Sequence, residues 1–141
     1  MRTKVFIFAM IATLLFGAGC DKAQQAKTSI LGKWQIEATG ESEEDMMPYD
    51  PYKINQDYFE FRQDNTVWHY CATCVGEKYF QVATYKIDSK HFSWYNPGSD
   101  EPEVYKYEFY GDKLKITSVS PRYAGNLTIL ISNVVVYKRV K

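Results

Sequence analysis

The sequence is poor in the residues from which most active sites are built. Histidine occurs twice and cysteine three times in 141 residues. A structural zinc site needs four such ligands, usually as two spaced pairs. His69 and His91 are separated by a long strand-like run of about ten residues, roughly 30 Å when extended, so they cannot share a metal. No nucleophile elbow, metal-binding helix motif or glycine-rich phosphate loop is present, so neither an enzyme nor a cofactor is expected. Charge of one sign is also lacking. The 17 basic and 17 acidic side chains cancel, which leaves no electrostatic footprint for nucleic acid. A membrane-spanning segment is missing too, because the one long apolar run, Val5–Phe16, falls short of about 20 residues.

That run has another reading. Arg2 and Lys4 precede it, and the small residues Gly17, Ala18 and Gly19 follow, then Cys20. The charged–apolar–small order is that of a secretory signal peptide covering residues 1–19. Gly17-Ala18-Gly19-Cys20 resembles the lipobox of bacterial lipoproteins, with Gly17 where Leu is usual. The resemblance implies a diacylglycerol on the Cys20 thiol, a fatty acyl group such as palmitate on its amine, and attachment to the cell envelope, at the outer membrane. Removal of residues 1–19 leaves 122 residues, enough for one domain, with 15 basic and 17 acidic side chains. The polar stretch Asp21–Ser29 is expected to be a flexible tether, its r.m.s. span about 15–18 Å.

Helical periodicity is scarce in the remainder, whereas alternation of period two recurs. Trp34, Ile36 and Ala38 alternate with polar neighbours, as do Phe59 and Phe61, Val67 and His69, Phe92 and Trp94, Tyr105, Tyr107 and Phe109, and Leu114 and Ile116. Tyr79–Asp88 and Leu127–Val140 are long β-rich runs. Gln63-Asp64-Asn65, Ser89-Lys90 and Gly111-Asp112 are tight-turn signals. An all-β chain of about eight strands and no helix is predicted, closing into an up-and-down antiparallel barrel because closure removes exposed edges.

The motifs carry a family resemblance. Ile30-Leu31-Gly32-Lys33-Trp34 is similar to the G-x-W opening of lipocalin-like domains in lipoproteins of the Bacteroidetes type. Phe61-Arg62-Gln63-Asp64-Asn65-Thr66 resembles that family's F-x-x-D-G-T hairpin, and Ala83-Thr84-Tyr85-Lys86-Ile87 its G-x-Y-x-I strand. Gly111–Ile116 and Tyr137–Val140 resemble later pieces, so the likeness covers about residues 30–141. It implies a lipocalin-like barrel related to small-ligand carriers. It also implies that Trp34 crosses the closed end of the barrel and that Arg139 covers it, a cation–π contact of about 0.5–2 kcal/mol.

Strand parity separates two ends. The three tight turns fall at one end. The longer connections Thr39–Asp57, Cys71–Lys78, Asn96–Glu103 and Ser118–Asn126 fall at the other, which is the expected working face. Those loops hold ten acids, among them Glu43, Glu44 and Asp45, against Lys53, Lys78 and Arg122. Trp68, Trp94 and Tyr123 are the expected aromatic contacts there. The expected ligand is a small apolar or aromatic molecule held shallowly, since about 112 residues are few for a deep calyx. The alternative is a filled barrel that docks a protein partner through its acidic loops. With Cys20 used for lipid, Cys71 and Cys74 remain as an even pair, for which a disulfide stiffening one lip is expected.

Overall fold

The computed structural model describes residues 20–49, 57–119, 123–124, 129–130 and 133–141. Residues 1–19, and with them the expected signal peptide, lie outside this set. The described strands are β1 (Gly32–Gly40), β2 (Met47–Pro48), β3 (Tyr58–Phe61), β4 (Thr66–Tyr70), β5 (Tyr79–Ile87), β6 (His91–Tyr95), β7 (Glu103–Tyr110), β8 (Lys113–Ser118), β9 (Tyr123–Ala124), β10 (Ile129–Leu130) and β11 (Val134–Arg139). Eight of them, β1, β3 to β8 and β11, form a closed antiparallel barrel. Each pairs with its neighbour, and β11 closes on β1 through Trp34↔Arg139 to Gly40↔Val134. β2 extends the sheet beside the far end of β1. The long run expected at Leu127–Val140 is divided, with β10 pairing β9 apart from the barrel and β11 completing it.

The tight turns are held by their own side chains. The Asp64 carboxylate accepts from the Thr66 amide at 3.1 Å and the Thr66 hydroxyl at 2.6 Å. Asn65 takes φ 64°, a conformation that asparagine tolerates better than most residues. Asp88 accepts from the amides of Lys90 and His91 at 2.7 and 2.8 Å. These hydrogen bonds hold the carboxyls of Asp64 and Asp88 below the usual range.

Partners in an antiparallel ladder share a face, so the pairing fixes which residues point inward. Following it from Trp34 gives Phe59 and Phe61, then His69 and Val67, Phe80 and Ala83, Tyr85 and Ile87, Trp94 and Phe92, Glu103, Tyr105, Tyr107 and Phe109, Ser118, Ile116 and Leu114, and finally Val135, Tyr137 and Arg139. The fully buried part of this set lies at the tight-turn end: Trp34, Phe61, Tyr85, Phe92 and Leu114.

One expectation is corrected at that end. Residues 20–30 are helical, where a flexible tether and no helix were expected. Ala23, Ala26, Lys27 and Ile30 recur at i, i+3, i+4 and i+7, a single helical stripe. Ala26 and Ile30 are buried, and Ile30 joins the barrel core. Only two alanines and one isoleucine make the stripe, so tertiary burial rather than amphipathic pattern decides the conformation. The Trp34 indole N–H donates to the Ile30 carbonyl at 2.7 Å, tying the helix end to the barrel.

Arg139 completes this closure. Its guanidinium lies 4.2 Å from the Trp34 ring centroid and donates to the Leu31 and Ser29 carbonyls at 2.7 and 2.5 Å. Those carbonyls belong to the helix end and the chain leaving it, where no further turn of helix supplies N–H donors. Gly32 has φ 115°, and a Cβ there would stand 3.0 Å from the Arg139 guanidinium. The glycine two before the tryptophan is therefore required by its backbone conformation, and a Cβ there would also crowd the Arg139 guanidinium.

Candidate binding site at the open end

The opposite end of the interior is built differently. Phe59, His69, Trp94, Tyr105 and Tyr137 all point inward, but none reaches the complete burial of Trp34 or Phe92. Phe59 is the hub. It stacks on His69 at 4.6 Å and meets Trp94 and Tyr137 edge-on at 6.3 and 6.2 Å. Phe80 contacts the His69 ring edge-on at 5.6 Å.

Polar groups are interleaved with these rings. His69 Nε2 lies 3.6 Å from Asp57 Oδ2, while Asp57 Oδ1 accepts the Ala72 amide at 2.7 Å. Burial holds the His69 imidazole below its ordinary pKa, and the Asp57 carboxylate opposes but does not cancel this. The imidazole is therefore chiefly neutral at physiological pH. Glu103 accepts from the Tyr105 hydroxyl at 2.7 Å and from the Asn96 amide at 2.9 Å, and Asn96 in turn accepts the Trp94 indole N–H at 2.9 Å. Burial pushes the Tyr105 phenol up to about 12, with Tyr137 adding to it, and pushes Tyr137 higher still. Both hydroxyls stay protonated as hydrogen-bond donors. The end thus offers flat apolar rings, phenol donors and two carboxylates.

The Cys71 and Cys74 sulfurs lie at disulfide distance, with Cα atoms 5.4 Å apart, in the connection from β4 to β5. Cys71 is buried, its amide donates to the Lys78 carbonyl at 2.8 Å, and Asp57 grips the next amide. The cysteine pair and the His69–Asp57 pair therefore brace the same lip. No group of three or more possible metal ligands occurs among the described residues. Cys20 is free and exposed at the start of the described helix.

The remaining expected site residues are scattered. Trp94 is in the site. Trp68 is not: it shares the outer face with Glu60 and Gln81, opposite to Val67 and His69. There it packs on Tyr79 at 5.2 Å, with the Arg62 guanidinium 4.5 Å from its centroid. Tyr58 and Tyr70 stack at 5.1 Å beside them, and the Lys33 ammonium lies 4.8 Å from Tyr58. The Tyr79 hydroxyl donates to Glu60 and accepts from Arg62. Burial works to raise the Glu60 carboxyl, but these two partners bring it below the usual range. The outward aromatics are thus occupied by one another and by their own cations.

Part of the acidic mouth is spent inside the fold. Glu43 turns back along the outer wall, where Lys115 pairs with it and with Glu108, each at 2.9 Å. Glu44 and Asp45 are exposed on the same loop, close to Ser42. Asp57 and Glu103 point into the barrel. Three of the ten acids, Glu43, Asp57 and Glu103, are therefore taken up by partners within the fold. The Tyr123 side chain, Asp50, Lys53 and Arg122 lie outside the described residues.

No protein-family model matches the chain, and no curated protein matches it significantly. The site must be read from its own chemistry. The residues not singled out from sequence are Phe59, His69, Tyr105 and Tyr137 as one inward cluster. The alternation that pairs Phe59 with Trp34 could have found them, because every inward residue follows from that one register.

Proposed function

We propose that the chain is a lipid-anchored binding module of the lipocalin-like lipoprotein type, and that its open end takes a small aromatic or apolar molecule. The observation that carries this is the contrast in burial along one interior. The closed end is sealed by Ile30, Trp34 and Arg139, whereas the open end leaves Phe59, Trp94 and Tyr105 half-buried around hydroxyl and carboxylate groups. Concave apolar surface with a few convergent polar groups is the ordinary form of a small-molecule site. Two carboxylates and the phenols would fix the orientation of a ligand that carries hydrogen-bond donors.

Lipid at Cys20 fits this arrangement. The helix of residues 20–30, about 16 Å long at 1.5 Å per residue, docks against the closed end. Acylation at its start would set that end toward the membrane and turn the open end away.

The test is to extract the protein from the envelope under native conditions and measure its mass with and without denaturation. The expected result is added acyl mass on the mature chain, plus a small molecule released on denaturation. Trp94 emission should change when the vacated protein is titrated with naphthalene-sized aromatic compounds, and Phe59→Ala should abolish the change. A protein that is extracted empty and answers to no aromatic compound would overturn the ligand reading. A mature mass without acyl groups would overturn the anchor separately.

A further inference from the structure

A cavity lies on the outside of the barrel wall, at a break in the sheet. β5 pairs with β4 from Tyr79 through Thr84, but with β6 only through Thr84–Ile87. The edge of β5 before Thr84 therefore has no β6 partner, and the loop after β6 overhangs it. A cleft of about 560 Å³ results, lined by Asn65, Gln81, Thr84, Lys86, Tyr95 and Asp100 with the loop backbone. Its size suits a small molecule.

Both walls are held without a ligand. On the loop side, Asn96 is fixed between Trp94 and Glu103 at 2.9 Å each, and the Ser99 amide donates to the Asn96 carbonyl at 3.0 Å. On the strand side, the Gln81 amide reaches the Ala83 carbonyl at 3.5 Å. Gln81 thus occupies the place that an added strand would need, and the overhanging loop blocks its path. An extended peptide is disfavoured for both reasons.

The remaining chemistry selects the ligand. Lys86 and Asp100 are the only charges in the lining, and they cancel. The Asn65 amide, the Thr84 hydroxyl and the Asp100 carboxylate have no side-chain hydrogen-bond partner among the described residues. Tyr95 adds an aromatic ring, one face of which lies under the Lys86 ammonium, 5.3 Å from its centroid. Amide, hydroxyl, carboxylate and one ring, with no net charge, match a neutral polyhydroxylated ring better than an anion, a cation or an apolar molecule. We propose that this cleft is a saccharide subsite, sized for one or two neutral sugar rings and distinct from the open-end cluster, with which it shares the wall at Asn96.

The experiment is a titration of the isotopically labelled protein with neutral hexoses, N-acetylhexosamines and their disaccharides, followed by amide chemical shifts. Glucuronic acid and glucosamine serve as charged counterparts. Neutral sugars should move the signals of Thr84, Lys86, Tyr95 and Asp100 saturably. Thr84→Val and Asp100→Asn should each weaken binding about tenfold, as should Asn65→Gly, which keeps the turn conformation. Unchanged amide spectra outside the cleft would show that these variants fold. The proposal is overturned by an absence of saturable shifts with neutral sugars, by tighter binding of the charged counterparts, by affinities unchanged in all three variants, or by shifts confined to Phe59, His69 and Tyr105. The last outcome would leave the open-end reading standing.

Discussion

At the closed end of the barrel Trp34 is 1 % exposed and Ile30 is 0 % exposed, and the carbonyls around them are capped by Arg139. At the open end Phe59, His69, Trp94 and Tyr105 are equally aromatic and equally inward, yet each keeps part of its surface in water. The two ends use the same residue types. What differs is the cover. A helix supplies the last apolar contacts at one end, whereas at the other, among the described residues, the rings lie beside carboxylates and phenols. Stability should therefore concentrate at the closed end and adaptability at the open end.

Substitutions at the two ends measure this asymmetry. Trp34→Ala should have the largest effect, about 3–5 kcal/mol in urea denaturation, because it leaves a cavity and removes the platform under Arg139. Ile30→Ala should cost about 2–4 kcal/mol although it lies outside the barrel strands. A cost near zero there would mean that the helix contributes nothing to closure. Trp94→Ala at the open end should cost only about 1–2 kcal/mol, since its ring is partly solvated already. An equal cost at Trp34 and Trp94 would break the comparison. Reduction of Cys71–Cys74 should cost about 2 kcal/mol at most, because a loop this short restricts the unfolded chain little. Its effect should appear as faster amide exchange in residues 71–78, not as global unfolding.

Much of this was legible in the sequence. Alternation of large apolar residues marked six of the eight barrel strands, β-rich runs marked β5 and β11, and the motif resemblance at Gly32, Trp34 and Arg139 marked the closed end. The helix was not legible, because Ala23, Ala26 and Ile30 form too thin a stripe to signal burial in advance of the surface that buries them. Trp68 was legible but misassigned. Its place between Val67 and His69 puts it on the opposite face from both, so parity alone sends it outside. Glu43 was not legible, since only the folded loop brings it to Lys115, a residue 72 positions later. Charge counted by loop membership does not register such returns.

The smallest predicted effect concerns protons at the open end. Burial holds the His69 pKa below its ordinary value of about 6.5 in the folded chain. The unfolded state therefore binds this proton first as pH falls. Above the unfolded value His69 is neutral in both states and its full contribution to stability is present. That contribution is lost as pH falls from about 6.5 through the depressed folded value. The turn carboxylates Asp64 and Asp88, also depressed, lose their contributions in a separate window below the usual carboxylate range. Urea denaturation should thus show a shallow decline near pH 6, well separated from the acid decline. His69→Gln should remove the first decline and leave the second. Because Asp57 ties His69 to the Cys71–Cys74 lip, amide exchange at Ala72 should quicken over the same window while exchange around Trp34 does not. Simultaneous quickening at Trp34 would show that the two ends are one cooperative unit, and would sink the division between a rigid closed end and an adaptable open one.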